Sequence, residues 1–177
     1  MGLWEEWRAS RARRQRAERY LSVLLREPDA ADVQWLKGLA GDDARANREL
    51  AFSRRAIGLI VAERDALDDR TAAEVAHLLA PVVAGETRRN ADHGREWADR
   101  WRAYTAALAV RGSTESPAAR IARVMLHGAG VTEPSAEILG RGTQFVVETR
   151  TALNESLRAA FGVASLPEDV RPSTLGS

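Results

Sequence analysis

The stretch "EVAHLLAPVVAGETRRNADHGRE", residues 74–96, decides between helix and strand for this chain. Val75, Leu78, Leu79 and Val82 recur at the three- and four-residue spacing of one helical face, and no alternating β-branched run interrupts them. The same stretch holds Glu-x-x-His at Glu74/His77 and the mirror-image His-x-x-Glu at His93/Glu96. A helical hairpin turning near Gly85 would bring both imidazoles and both carboxylates to matching heights, and helical bundles hold metal ions with such pairs.

The direction of each side chain tests this. At about 100° of rotation per residue, with Val75 at zero, the apolar set Val75, Leu78, Leu79, Val82 and Val83 centres near 10° and His77 lies at about 200°. On the following helix, with Trp97 at zero, the stripe Trp97, Trp101, Tyr104, Leu108 centres near 10° and His93 lies at about 320°. His77 is thus expected on a solvated face, and His93 inside, packed under Trp97 with one ring nitrogen bonded to a neighbour. The four residues do not face a common point, so no metal and no cofactor is called for. Glu74, His77, His93 and Glu96 remain the set that a small helical metalloprotein or enzyme would use.

Outward from this stretch, nearly every segment has helical period, and alanine and arginine supply strong helix formers. The fold class is all-α, a bundle of six to eight helices spanning residues 1–162, with residues 163–177 read as a flexible tail. A first helix is expected over residues 3–26, ended by Pro28-Asp29, and Asp29 caps a second that closes at Gly41. Asp42 or Asp43 caps a third helix bearing Leu50, Ile57, Ile60 and Val61, and Asp68 or Asp69 caps the fourth. Gly85 breaks the fourth from a fifth that runs to Val110. Ser116-Pro117 starts a short helix that stops at His127-Gly128, where His127 suits a C-terminal cap, and Gly140-Arg141-Gly142 interrupts the last one.

The 177 residues suit one domain with a real core, and 45% apolar against 29% charged content is that of a folding chain. The absence of cysteine excludes disulfides, thiolate catalysis and the usual structural zinc sites. The opening residues lack a secretory apolar core and no run approaches a spanning helix, so a cytoplasmic protein is expected. No phosphate loop, nucleophile elbow or His-Glu-x-x-His occurs, and "GRGTQF" at 140–145 lacks the strand and lysine of a nucleotide loop.

The formal charge of +1 conceals an uneven distribution, because residues 1–26 hold seven arginines against three glutamates. There Leu3, Trp4 and Trp7 stand beside Arg8, Arg11 and Arg14, a pairing that suits a protein partner's groove or an anionic membrane surface. The competing reading packs Trp7 with Leu21, Leu24 and Leu25 on the body. Charge elsewhere is balanced and no helix-turn-helix is evident, which argues against nucleic acid. Trp97, Trp101 and Tyr104 form a second candidate contact surface wherever they are exposed.

"RYLSVLLREPDAADVQWLKGLAG", residues 19–41, resembles the opening of the TorD/NarJ-type chaperones, all-α proteins that help to assemble molybdenum-containing redox enzymes. The resemblance implies a helix, a Pro-Asp break and a second amphipathic helix, and a chaperone role for a redox-enzyme subunit. The family's later motifs are absent, so it assigns no functional residue. "TAAEVAHLLA" (71–80) and "ARIARVMLHGAGVTEP" (119–134) look like segments of DinB-like helical metalloproteins, but Pro117, Ala118 and Ala119 stand where ligands would be expected. The expected function is non-catalytic binding of a macromolecule, as an adaptor, assembly factor or chaperone.

Overall fold

The computed structural model describes residues 3–65 and 69–161. These form seven helices with no strand among the described residues: α1 (Leu3–Leu24), α2 (Ala30–Ala40), α3 (Asp43–Asp65), α4 (Asp69–Arg89), α5 (Ala91–Ala109), α6 (Pro117–Gly128) and α7 (Ala136–Phe161). The all-α bundle anticipated from periodicity is the observed architecture. Asp68, one of the two caps expected for α4, and the tail 163–177 lie outside the described residues.

Helix α3 is the axis. It touches every other helix, while α1, α4, α5, α6 and α7 close a ring around it, each packed on the next and α7 back on α1. Helix α2 folds back on α3 and is tied to α7 through Arg141, which bonds Asp32 at 3.1 Å and lies over the Trp35 ring. Encirclement explains the burial of Ala46, Leu50, Phe52, Ala56, Ile57, Val61 and Ala62 on α3. The adjoining helices bring Tyr20, Leu24, Val75, Leu79, Met125, Leu126, Phe145 and Val146 to the same core.

Most helix ends follow local chemistry. The Asp29 side chain accepts from the Ala31 N–H, and Gly41 takes the left-handed conformation, φ 70°. Ser116 accepts from the Ala119 N–H ahead of Pro117. Three expectations are corrected. Helix α4 runs through Pro81 and Gly85, because the proline is on an exposed face, where water can hydrate the carbonyl four residues back. The hairpin turns at Asn90 instead, whose side chain accepts from the Asp92 and His93 N–H groups. Helix α7 continues through Gly140 and Gly142, since a Cβ at Gly142 would meet the Ala122 Cβ and a Leu126 methyl at 3.3 Å, and the missing side chain lets α6 and α7 approach. After α6, Gly130 at φ 95° makes the turn, donating to the His127 carbonyl, while the His127 side chain is exposed.

Candidate functional site

The first half of α1 stands off the body. The buried face of this helix begins at Ala17 and continues through Tyr20, Leu21 and Leu24, with the Tyr20 hydroxyl donating to the Gly58 carbonyl at 2.9 Å. Before Ala17, residues 4–11 and 14–16 are exposed, on every side of the helix. Trp4 keeps 70% of its surface and Trp7 54%. The reading that packed Trp7 on the body is overturned, although Leu21 and Leu24 are buried as that reading required. At about 100° per residue, the two tryptophans centre roughly 120° away from the Ala17/Tyr20/Leu21/Leu24 face. Followed back as far as Trp4, the core face meets Arg13, Ser10, Ala9 and Glu6, which offer the body nothing apolar of size.

The tryptophans form a paired surface feature. Their rings meet edge to face at 5.7 Å, the Arg8 guanidinium lies 5.6 Å from the Trp4 ring centre, and that of Arg11 5.4 Å from Trp7. Arg14 bonds Glu18 one turn on, at 3.1 Å. Between residues 3 and 16, five arginines face two glutamates, so this projection of about 21 Å is cationic as well as aromatic.

The opening histidines separate as the rotation test required. His77 is exposed, Glu74 half-buried, and Glu96 lies 2.7 Å from Arg48 Nε without hydrogen-bond geometry. His93 is half-buried, but its ring rests on Phe52 at 5.0 Å between centres, with Phe52 intervening before Trp97. Its Nε2 lies 3.2 Å from Glu86 Oε2. Among the described residues no group of three or more histidines and carboxylates could hold a metal ion.

Glu86 and Arg55 were missed because the assumed break at Gly85 made Glu86 a helix-start residue. With the turn at Asn90, Glu86 stands four residues before the turn and His93 three after it, and Glu86 faces α3. Arg55 grips it with both terminal nitrogens, at 2.7 and 2.8 Å. The Arg55 hydrogen bonds, opposed by burial, hold the Glu86 carboxyl below its usual range. Beside it, Glu49, only 2% exposed at its side chain, accepts three contacts of 2.8–3.0 Å from Arg100. The Arg45 Nε donates to the Gly128 carbonyl, and Tyr104, fully buried, shares a 2.7 Å hydrogen bond with Ser53. Burial pushes the Tyr104 phenol well above its ordinary pKa.

Tyr104 is therefore corrected from a contact residue to a core residue. Trp97 and Trp101 stack at 6.1 Å and remain half-buried against the core. This polar seam joins α3 to α4, α5 and α6, and its carboxylates are occupied by guanidinium groups that fix helix positions. Among the described residues no helix is long and apolar enough to cross a membrane. The chain matches no family model, no curated protein and no solved structure.

Proposed function

We propose that this is a non-catalytic binding protein, an adaptor, assembly factor or chaperone, that presents the projecting half of α1 to a protein partner. The observation that carries the reading is the exposure of Trp4 and Trp7 on a face turned away from the helix's own core contacts. Tryptophan and arginine dominate binding hot spots, because a large ring and a planar cation gain much when a partner's pocket excludes water around them. The partner's surface is an apolar slot rimmed by carboxylates, matching the Trp4/Trp7 pair and Arg8, Arg11 and Arg14. Within this class, a redox-enzyme subunit is the partner to which the resemblance of residues 19–41 points.

The test is a comparative capture from the native host with the wild-type chain and a W4A/W7A variant, scored by quantitative mass spectrometry and followed by affinity measurement on the recovered partner. Loss of two hot-spot tryptophans should weaken binding by at least about 30-fold, corresponding to about 2 kcal/mol. Equal recovery by both chains overturns the reading. Binding to anionic vesicles that disappears in the variant, with no protein partner affected, replaces the protein surface by a lipid one, the other setting in which Trp beside Arg is favourable.

A further inference from the structure

A second feature lies on the bundle itself. Helix α6 spans 12 residues and α7 spans 26, so α7 outruns its hairpin partner by about 21 Å at 1.5 Å per residue. Helix α5 ends at Ala109 and α6 begins at Pro117, and beside these ends the second halves of α3 and α7 line a common groove. The groove has a volume of about 400 Å³. Its apolar surface comes from the partly exposed Ile60 of α3, Leu108 of α5 and Ala118 of α6, over a floor of buried Ile57, Val61, Ile121 and Val146. Val147, also on its wall, is 45% exposed.

The polar part of the lining is unbalanced in charge. Among the described lining residues, Arg64 comes from α3 and Arg158 from α7, against one carboxylate, Glu155; Arg150, also on the wall, has an interaction partner of its own. Arg64 and Arg158 form no ion pair among the described residues. An apolar cavity of this size, with a few charged groups of one sign, has the composition of a small-molecule site, in which the walls supply affinity and the charges fix orientation.

We propose that this groove binds a small anionic amphiphile, an alkyl carboxylate or alkyl phosphate, with its chain along Ile60, Leu108, Ala118 and Val147 and its head between Arg64 and Arg158. A groove of about 400 Å³ is in the size range of small-molecule sites, and a chain of about ten carbons is a suitable probe for it. Burial of the chain drives association, and the arginines select an anionic head over a neutral or cationic one.

Titration calorimetry on the full chain tests this with decanoate, decyl phosphate and decyltrimethylammonium, each below its micellar concentration. The expected result is saturable one-to-one binding of an anionic probe, none of the cation, and at least tenfold weakening in R64E/R158E. V147E, at an exposed wall position, should weaken it as well and stands in if the double variant does not fold. Equal binding of the cationic probe, unchanged affinity in the folded variants, or no saturable binding of either anion overturns the proposal. If the wild-type chain excludes decyl phosphate and a full-length E168R/D169R variant admits it, residues 162–177 are the occupant and a free ligand is ruled out.

Discussion

Breaking the Glu49–Arg100 pair from either side should cost unequally. Glu49 is 2% exposed at its side chain and Arg100 22%, so the two ends are desolvated to different degrees. Removing one partner of a fully buried pair costs about 3–5 kcal/mol, chiefly because the survivor is left charged and uncompensated. In Glu49→Gln the survivor is Arg100, which can reach water, and a loss near the lower end, about 3 kcal/mol, is expected. In Arg100→Met the survivor is the carboxylate enclosed by α3, α5 and α6, and the loss should be nearer about 5 kcal/mol. The double variant Glu49→Leu/Arg100→Met leaves no charge behind and should recover most of either loss. Urea unfolding followed by far-ultraviolet circular dichroism gives the three values, with the slope against denaturant checking that the unfolded state is unchanged. In thermal melts the Glu49→Gln loss should appear as a fall in Tm of about 6–12 °C, at roughly 2–4 °C per kcal/mol for a chain of this length. Single losses that add in the double variant, or a Glu49→Gln chain within about 0.5 kcal/mol of wild type, would refute the account of this pair as a coupled buried charge.

Three further outcomes follow from the same geometry. A Cβ on Gly128 would stand 2.2 Å from Glu49 Oε2 and 2.4 Å from Arg100 Nε, so Gly128→Ala should destabilise by about 2 kcal/mol or more, while Gly140→Ala, where nothing lies within 4 Å, should not; paired thermal melts compare them. Glu86 has a folded pKa below its unfolded 4.5, so its stabilisation is fully present above that value and is lost as pH falls through the folded one. The gap in stability between wild type and Glu86→Gln should therefore close on acidification below about pH 4.5, and a gap constant from pH 7 to pH 3 contradicts the Arg55–Glu86 assignment. W4A/W7A should unfold within about 0.5 kcal/mol of wild type, because exposed positions carry little stability; a larger loss would mean that these rings pack on the body.

Helical class was legible because periodicity is a local property, and 3.6-residue spacing persists wherever one face is buried. The caps at Asp29, Ser116 and Gly41 were legible for the same reason, since each acts on backbone groups within a few residues. The errors came where tertiary contacts outweigh local preference. Gly142 reads as a helix break in isolation, but its missing side chain admits α6 and the helix is kept by that packing. Gly85 reads as the turn because glycine is the stronger local break signal, but the Asn90 side chain holds two following N–H groups and the turn falls there. That one displacement hid Glu86, and with it the partner of His93.

The candidate interface shows a different limit. Trp4, Trp7 and the arginines were visible as a cluster, yet composition alone left open whether they dock on the chain's own body. The rotation that separated His77 from His93 also answers this, once applied to α1. Tyr20, Leu21 and Leu24 mark a core face, and the positions that continue it back as far as Trp4 are Arg13, Ser10, Ala9 and Glu6. A helix meant to lie on its own bundle over its whole length would keep large apolar residues there, since that face supplies the burial that holds it down. Here the two largest apolar side chains stand on a different face, each with a guanidinium over or near its ring. The part of α1 from Ala17 onward packs on the chain's own core, and the part that precedes it leaves both tryptophans exposed, which is the basis of the proposed contact.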